Sequence, residues 1–264
     1  DEATQATEPA ALVPLVRGAR QIVLVGDHRQ LPPTVISQRA KEGGLSRSLF
    51  ERMVEVGISP HLLRIQYRMH PAISAFPNER FYNGRLEDGV ESSDRVTPAG
   101  LLWPDWECPI AFLPIEGGEA RSPDGTSKEN PTEASWIAQL LEGLMDGGEL
   151  GQDDIGIITP YAGQVRAIRD SVPARYDGVE VRTVDGYQGR EKEVILFSCV
   201  RSNSDGNVGF LSDSRRLNVA LTRARRGLIV IGDPGTLRCD KDWAAWLDHV
   251  RSRKLEAWHL LGMS

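Results

Sequence analysis

Four short apolar segments with helical patterns between them constrain the fold of this chain more than any other feature of its sequence. Each segment is rich in Ile, Val or Leu, and they lie at residues 155–158, 179–182, 194–197 and 228–231. Helical patterns at 162–171 and 213–225 separate strands of this set. Strands that alternate with helices are typical of a parallel sheet covered by helices on its faces. The sequence therefore predicts an α/β fold.

The first third of the chain contains two further predicted elements. Residues 21–25 form an apolar run closed by Gly26, which predicts a buried strand that enters a loop. Residues 46–56 predict a helix capped by Ser46 and ended by Gly57. This part of the chain is thus expected to contribute a strand and a helix to the same kind of fold.

The middle of the chain contrasts an irregular segment with a regular one. Residues 88–126 are rich in Pro, Gly and Trp and lack a helical period, so we expect irregular strands and loops there. Residues 132–145 carry apolar side chains at helical spacing, which Gly147 brings to an end. We place a domain boundary near residues 60–65.

Composition limits the class of protein. The 264 residues are 40% hydrophobic and 26% charged, which is ordinary for a globular protein of one or two domains. No apolar run approaches the roughly 20 residues that span a bilayer. The three cysteines lack CxxC spacing, which favours a reducing compartment over a disulfide framework. Because the net charge is −6, any nucleic acid must meet a local groove rather than a generally basic surface.

The first candidate site combines an acidic pair with a later polar loop. Asp1 and Glu2 open the chain, and the strand predicted at 21–25 is followed by Asp27 and Gln30. Phosphoryl transfer needs a carboxylate on a metal ion, another that handles water, and a polar group near the γ-phosphate. Against this stand plain alternatives, a solvated terminal pair and an ordinary turn at Asp27. The phosphate-cradling pattern Gly-x4-Gly-Lys-Ser/Thr occurs nowhere in the chain.

Further candidates are an aromatic residue beside an arginine and a group of arginines. Tyr67 could stack on a base and Arg68 could reach a phosphate, although a buried ring and a surface ion pair are the more common explanation for an arbitrary Tyr-Arg pair. His70 is predicted to be structural because no second metal ligand accompanies it at a suitable spacing. The use of Arg rather than Lys favours bidentate phosphate contacts, although a solvated helix face explains part of the group. The arginines are Arg215, Arg216, Arg223, Arg225 and Arg226.

Five short motifs occur in order along the chain and carry a resemblance to a known family. The motifs are Asp1-Glu-Ala-Thr-Gln-Ala6, Gly26-Asp-His-Arg-Gln30, Gln66-Tyr-Arg-Met-His-Pro71, Gln188-Gly-Arg-Glu191 and Val219-Ala-Leu-Thr-Arg-Ala-Arg225. With these motifs the chain resembles superfamily 1 helicases, and most of all the up-frameshift-type RNA helicases of nonsense-mediated mRNA decay. The resemblance covers nearly the whole chain and weakens after about residue 240.

The resemblance implies two RecA-like domains of the P-loop NTPase type with ATP between them. Residues 1–62 would be the C-terminal part of the first domain, residues 63–254 the second, near-complete domain, and residues 255–264 a tail. The implied activity is ATP-dependent 5′-to-3′ unwinding by the C-terminal portion of a helicase core. The implied cofactors are ATP and Mg²⁺.

The resemblance also implies roles for individual residues at the site of hydrolysis. Asp1 would coordinate Mg²⁺, Glu2 would activate the attacking water, and Gln30 would sense the γ-phosphate. Arg68 and Arg223 would be arginine fingers that stabilise the charge of the transition state.

Other implied roles concern the rest of the nucleotide and the bound strand. Tyr67 would pack on the adenine, and Glu191, with Gly189 beside it, would contact the nucleotide, with a ribose hydroxyl as the expected partner. Nucleic-acid contacts would fall on two loops. Their residues are Thr159, Pro160, Tyr161, Thr183, Val184 and Asp185.

Departures from the family pattern keep other functions open. Leu31-Pro32-Pro33 is more similar to relatives that act on DNA or RNA–DNA hybrids, and Tyr187 stands where Phe is more common. A DNA or hybrid helicase and a non-catalytic nucleic-acid-binding protein therefore remain alternatives. A Rossmann-type metabolic enzyme is disfavoured because no Gly-x-Gly-x-x-Gly turn follows a strand.

Expectations for the protein as a whole follow from the same resemblance. We expect single-stranded RNA, or DNA, as substrate, contact with mRNA-decay factors through upstream regions, no membrane, a monomer, and a cytoplasmic or nuclear location. A chain that starts on a metal ligand without Met is typical of a fragment. Without the lysine and backbone amides of a phosphate-binding loop, this chain alone is expected to hydrolyse ATP negligibly.

Overall fold

A computed structural model describes residues 1–262, with side chains described through residue 260. The chain forms two compact units, residues 1–63 and residues 64–264. This division lies one residue from the domain boundary expected between residues 62 and 63. The assignment of the units to helicase domains stays a prediction.

The helices of the first unit are short, and those of the second unit are more numerous and include the longer ones. In the first unit they are α1 (Glu8–Leu15), α2 (Gln38–Glu42) and α3 (Leu49–Glu55). In the second they are α4 (Pro71–Tyr82), α5 (Pro131–Asp146), α6 (Ala162–Ser171), α7 (Val184–Tyr187), α8 (Ser214–Leu221), α9 (Pro234–Leu237) and α10 (Lys241–Ser252).

Strands occur in the second unit among the described residues, and the central sheet confirms the predicted α/β fold. This sheet has the order β3-β9-β8-β6-β7, and all its strands are parallel. The strands are β1 (Ile65–Gln66), β2 (Glu87–Asp88), β3 (Ile110–Pro114), β4 (Ala120–Arg121), β5 (Lys128–Glu129), β6 (Ile155–Thr159), β7 (Glu180–Thr183), β8 (Lys192–Ser198) and β9 (Ala224–Gly232).

Both faces of the central sheet are covered because side chains alternate along its strands. On one face, Val194 and Leu196 of β8 join a core with residues of α5 and α6. On the other face, Phe197 stacks on Trp243 of α10 with ring centroids 5.9 Å apart, and Phe112 of β3 meets Trp246 edge-on. The sheet is therefore buried between two helical layers, which leaves its strand ends as the positions for a site.

The strand predicted at residues 21–25 is wrong. This segment forms no strand, and Val23 is 85% exposed. A strand requires a neighbour to complete its hydrogen-bond ladder, and no strand occurs among residues 1–63, all of which the structure describes. The segment does receive one backbone hydrogen bond, from the amide of Ala3 to the carbonyl of Val25, with N and O 2.8 Å apart.

Two helix predictions need correction at their ends. The helix predicted at 46–56 is α3, and its cap is Ser48, whose hydroxyl accepts from the Glu51 amide, rather than Ser46. The helix predicted at 213–225 stops at Leu221, and β9 already begins at Ala224. The arginines near 223 are therefore on the turn and strand rather than on one helical face.

The segment predicted to be irregular at residues 88–126 contains a buried strand, β3. It lies at the end of the sheet, yet every residue from Ile110 to Pro114 is buried. The reason is a later segment: the Phe112 amide donates to the Leu255 carbonyl (2.9 Å), and the Ala257 amide donates to the Phe112 carbonyl (2.8 Å). Residues 255–257, which the sequence assigns to a tail, thus pack against the sheet, while residues 263–264 of that tail lie outside the described part.

Among residues 1–262, none of the helices combines the length and the apolar character needed to cross a bilayer.

Candidate nucleotide and nucleic-acid sites

The predicted site residues of the second unit fall at opposite edges of the central sheet. Glu191 directly precedes β8 and Arg223 directly precedes β9, whereas β6 and β7 end at Thr159 and Thr183. Because the strands are parallel, the nucleotide residues lie at the amino edge and the nucleic-acid residues at the carboxyl edge. The seven residues of β8 separate these edges by roughly 20 Å at about 3.3 Å per residue.

At the amino edge, Thr222 brings the two predicted arginine fingers together. The Nη1 of Arg68 donates to the Thr222 carbonyl (3.0 Å), and the Nη2 of Arg223 donates to the Thr222 hydroxyl (2.8 Å). Arg223 also donates from Nε to the Val219 carbonyl (3.0 Å) and is only 2% exposed. Two guanidinium groups therefore converge on one residue at the end of α8.

Glu191 provides the negative charge of this cluster. Its Oε2 accepts from Nε of Arg68 at 2.5 Å, and its Oε1 lies 4.0 Å from Nε of Arg225. Partial burial pushes the pKa of Glu191 upward, but the hydrogen bond from Arg68 and the charges of Arg68, Arg225 and Arg223 outweigh it and hold that pKa below its ordinary value. Glu191 is thus an anion that holds Arg68 in place.

Tyr67 is oriented by its backbone and leaves its ring accessible. Arg95 donates from Nη2 to the Tyr67 carbonyl and from Nε to the Arg68 carbonyl, both at 2.8 Å. The ring lies over Gly89, where a Cβ atom would come within 2.4 Å of the Tyr67 Cε1. Since Tyr67 is 64% exposed, its ring is available to a flat base.

One short segment, residues 183–191, connects the carboxyl edge to the amino edge. Thr183 caps α7 by accepting from the Gly186 amide (3.3 Å), and Gly189 turns the chain toward β8 with φ of 76°. A backbone in this left-handed region strongly favours glycine. Gly189 therefore has a conformational reason to precede Glu191, and its predicted contact with a nucleotide stays a prediction.

The predicted residues of the first unit are grouped around one turn. A Cβ atom on Gly26 would lie 3.0 Å from the Thr4 amide nitrogen, so the segment that follows Asp1 and Glu2 runs against the start of the polar loop. In that loop, Nε2 of Gln30 donates to Oδ2 of Asp27 at 3.0 Å. The turn that follows residues 21–25 thus joins a carboxylate and an amide by a hydrogen bond, and the roles expected of Asp1, Glu2 and Gln30 stay predictions.

The donor chemistry of this turn suits Mg²⁺, which prefers carboxylate oxygen together with water and phosphate oxygen. Asp1 is exposed, and its Oδ1 accepts only a local hydrogen bond, from the Glu2 amide at 2.8 Å, among the contacts described for it. No group of three or more His, Cys, Asp or Glu side chains in the described part of the chain forms a ready metal cage. Asp1 therefore suits the role of one protein ligand of Mg²⁺, with the other coordination positions left to water and phosphate oxygen.

The carboxyl edge separates the six predicted nucleic-acid residues into buried and accessible groups. The side chains of Thr159, Tyr161 and Val184 are buried, so a strand could reach those positions only through the backbone. Pro160 and Thr183 are partly exposed. Asp185 is exposed and pairs with Arg216, with Nε and Oδ1 2.9 Å apart, and belongs with Pro160 and Thr183 to the accessible group.

The remaining members of the arginine group are largely engaged within the protein. Arg225 pairs with Glu193 at 2.8 Å, and Arg226 pairs with Glu149. These ion pairs match the plain interpretation of the group as charged surface. His70 is structural as predicted, since its Nδ1 accepts from the Ala72 amide (3.0 Å) and caps α4.

Sequence analysis missed two residues that orient the side chains predicted to meet a nucleotide. Thr222 lies within the motif Val219–Arg225. Its position between the predicted helix and Arg223 could have indicated that it orients Arg223. Arg95 orients the Tyr67–Arg68 backbone from 27 residues away, and nothing in the sequence distinguishes it from other surface arginines.

Two protein-family models match the chain, and both describe an AAA domain. One matches residues 45–235 and the other matches residues 1–38. Together the two models cover most of the chain, one after the other.

Curated relatives match almost the whole chain. The regulator of nonsense transcripts 1 homolog of Drosophila melanogaster is 45% identical over 97% of this chain and 22% of its own length. ATP-dependent helicase upf1 of Schizosaccharomyces pombe is 44% identical over 96% of this chain and 28% of its length. ATP-dependent helicase NAM7 of Saccharomyces cerevisiae is 42% identical over 96% of this chain and 27% of its length. The chain spans about a quarter of the length of these relatives.

Among solved structures, a PRRSV helicase covers 89% of this chain with a TM-score of 0.46 and 16% sequence identity, over 34% of its own chain.

Proposed function

Since this chain belongs to the AAA-domain family of up-frameshift-type superfamily 1 helicases, we propose that it is the C-terminal portion of an ATP-dependent 5′-to-3′ helicase core. The proposed pathway is nonsense-mediated mRNA decay, and the proposed substrate is single-stranded RNA. The observation that carries the proposal is the cluster at the amino edge, where Arg68 and Arg223 converge on Thr222 and Glu191 holds Arg68.

In this proposal, the residues of the first unit act on the metal-bound phosphates of ATP. Asp1 would hold Mg²⁺, which when bound would neutralise phosphate charge. Glu2 would accept a proton from the attacking water, and the amide of Gln30 would orient that water or the γ-phosphate. The Asp27–Gln30 hydrogen bond of 3.0 Å supports a fixed orientation of the amide.

The arginines of the second unit would stabilise the charge that develops on the transferred phosphoryl group. Arg68 is held by Glu191 and the Thr222 carbonyl, so it is already ordered before an anion arrives. Tyr67 would pack its exposed ring on the adenine, and Glu191 would accept from a ribose hydroxyl. Ordering the guanidinium groups in advance reduces the reorganisation needed during the reaction.

The nucleic-acid strand would lie along the carboxyl edge, at Pro160, Thr183 and Asp185. Backbone groups of Thr159, Tyr161 and Val184 would complete the contact, because their side chains are buried. The segment 183–191 joins this edge to Glu191. Binding of a strand at one edge would therefore bear directly on the residues at the other.

A related DNA or RNA–DNA hybrid helicase is the second candidate, and one sequence observation favours it: Leu31-Pro32-Pro33 follows Gln30. The relatives reported above are named as regulators of nonsense transcripts and ATP-dependent helicases, which supports the RNA-decay proposal over it. The same proposal includes a monomer in the cytoplasm or nucleus that meets mRNA-decay factors through regions outside this chain.

Replacement of Arg223 tests the proposed catalysis. In the parent helicase, Arg223→Ala is expected to lower RNA-stimulated ATP turnover by about a thousandfold, the contribution typical of an arginine finger, with ATP affinity nearly unchanged. Phosphate release measures turnover, and a fluorescent ATP analogue measures affinity.

Arg226→Ala is the matched control, because Arg226 is an arginine three residues further along, on β9, whose side chain is also engaged within the protein but has no proposed contact with ATP. Circular dichroism checks that both variants fold, since Arg223→Ala leaves the Val219 carbonyl without its side-chain donor. Turnover at the wild-type rate in a folded Arg223→Ala variant removes Arg223 from the site.

A further inference from the structure

Phe210 is a large aromatic residue that stays 56% exposed although its loop is well ordered by hydrogen bonds. It belongs to a 3-10 turn, Gly209–Ser212. Asn207 accepts from the Gly209 amide (3.0 Å), and the Gly209 carbonyl accepts from the Ser212 hydroxyl (2.9 Å). The loop therefore presents the ring in a defined position rather than as part of a loose segment.

The close approach of this loop to the sheet requires a glycine next to Phe210. Gly209 has φ of 55°, and a Cβ atom there would lie 2.1 Å from Nη1 of Arg201 and 2.4 Å from the hydroxyl of Tyr161. The same Tyr161 hydroxyl accepts from the Phe210 amide and from Nη1 of Arg201, both at 3.3 Å. Backbone and side chains together thus fix the base of the ring.

Two neighbours orient the ring itself. The Tyr161 ring lies 5.3 Å from it between centroids, with an angle of 39° between the planes. The guanidinium of Arg216 lies over the Phe210 ring, 5.3 Å from its centroid. Arg216 is in turn fixed by two hydrogen bonds to Asp185, of 2.9 and 3.2 Å. These contacts restrict the ring while leaving more than half of its surface open to solvent.

The position of the ring is at the carboxyl edge of the sheet. Tyr161 follows β6, and Asp185 follows β7. Phe210 therefore contacts one of the loops proposed to meet a strand directly, through Tyr161, and is linked to the other through Arg216. An exposed apolar ring costs free energy in water, and rigid aromatic rings lose little entropy when they bind a flat partner. The internal packing of the loop does not account for this exposure.

We propose that Phe210 is a stacking platform for one base of the bound single strand, and that Arg216, itself fixed by Asp185, is a positioning residue that holds the ring. This inference deepens the proposed function and rests on it. Stacking uses the face of a base rather than its hydrogen-bonding edge, so the platform would accept any base. It would add affinity for bases to an edge whose other contacts are mainly backbone groups.

Binding of short oligonucleotides to the parent helicase, measured by fluorescence anisotropy without ATP, tests this proposal. The probes are a labelled RNA decamer of uridine and a decamer of the same length built from abasic residues, which keeps the phosphates and lacks the bases. Phe210→Ala is expected to weaken binding of the uridine decamer about tenfold, within the range for one aromatic–base stack, and to leave binding of the abasic decamer unchanged.

Two further variants sharpen the comparison. Phe210→Trp keeps an aromatic face and is expected to bind the uridine decamer at least as well as the wild type. Trp106→Ala is the matched control, because Trp106 is another aromatic residue with similar exposure, 53%, and no contact with the carboxyl-edge loops is described for it. It is expected to bind both probes as the wild type does.

The role of Arg216 has its own variant. Arg216→Gln releases the ring from its cation and is expected to weaken binding of the uridine decamer by a smaller factor than Phe210→Ala. In the Phe210→Ala background the same change is expected to have no further effect on the base-dependent part of binding. An equal further loss there would overturn the positioning role.

The remaining outcomes separate this inference from the function on which it rests. Equal binding of the uridine decamer by Phe210→Ala and the wild type overturns the stacking proposal and leaves the helicase proposal standing. The exposed ring would then be assigned to contact with another protein. An equal loss on both probes overturns stacking in favour of a purely structural role. If the wild-type helicase binds neither decamer, both proposals fail.

Discussion

At the scale of single residues, the hydroxyl of Tyr187 is a buried polar group that has room beside a glycine but no hydrogen-bond partner among the described residues. The side chain is fully buried, and a Cβ atom on Gly156 would lie 1.9 Å from its oxygen. No hydrogen-bond partner for this oxygen occurs among the described residues. Burial raises the pKa of the Tyr187 hydroxyl, so it stays neutral. The glycine makes room for an oxygen where the family more commonly has none.

Removal of this hydroxyl is expected to be harmless or favourable. Tyr187→Phe eliminates a buried polar atom that lost its water on folding, which should raise the free energy of unfolding by up to about 1 kcal/mol. Tyr161→Phe is the matched comparison, because its hydroxyl accepts two hydrogen bonds, and it should lower the free energy by about 1 kcal/mol or more. Urea denaturation measures both, and a clear loss of stability in Tyr187→Phe would contradict the expectation.

At the scale of elements, helix α5 is joined to the end of β8 by a buried carboxyl group. Glu133 of α5 accepts from the Ser198 hydroxyl (2.6 Å) and from the Val200 amide (3.0 Å). Val200 has φ of 73°, a conformation that costs a β-branched residue on the order of 1–3 kcal/mol. The hydrogen bond from its amide helps to hold this strained turn, from which the carboxyl-edge loop departs.

This junction predicts a pH dependence of stability. Burial raises the pKa of Glu133 to about 8, to which the charge of Asp233 adds, despite the hydrogen bonds from Ser198 and Val200. Because the folded pKa lies above the unfolded value of about 4.3, the stability contribution is fully present below pH ~4 and is lost as the pH rises toward 8. The free energy of unfolding should therefore fall between pH 5 and pH 8 by an amount on the order of a few kcal/mol.

Glu133→Gln removes the titrating group and is expected to flatten this part of the pH profile. Urea denaturation at several values between pH 5 and pH 8 gives the slope for each protein. A variant with the same slope as the wild type would show that another group causes the dependence.

The elements that were predictable from sequence are those whose periodicity agrees with their burial. Helices α5 and α6 carry apolar residues at helical spacing and were found with nearly the expected bounds. Strand β3 was missed because its five apolar residues lie among Pro, Gly and Trp, and its burial depends on residues 255–257. Helix α4 was not predicted because it contains Pro77, and proline usually breaks a helix. Residues 21–25 show the converse, since an apolar run without a partner strand forms no ladder.

The same contrast holds for the candidate site. Motif resemblance identified Arg68, Glu191 and Arg223, which the fold brings to one edge. It could not reveal that Thr222 joins the arginines or that the side chains of Tyr161 and Val184 are buried, because those facts depend on contacts between distant segments.

At the scale of the whole molecule, the sequence predicts that this chain does not hydrolyse ATP by itself. The chain lacks the Gly-x4-Gly-Lys-Ser/Thr loop, whose lysine and amides would bind the β- and γ-phosphates. The purified 264-residue chain is therefore expected to release no phosphate from ATP above background, with or without poly(U). The parent helicase under the same conditions is the positive control. Hydrolysis by the isolated chain that increases with added RNA would contradict this prediction.

The backbone hydrogen bonds between Phe112 and residues 255–257 also protect the sheet from pairing with another copy of the chain. The end of a sheet exposes unpaired amides and carbonyls that can recruit a strand from another copy. At β3 those groups are taken by the returning chain. At the other end, β7 has only four residues, Arg169 donates to its Val181 carbonyl, and Glu180 and Arg182 place charges on it. Because both outer strands, β3 and β7, are protected in this way, aggregation through strand pairing is disfavoured even though the sheet between them is almost entirely apolar.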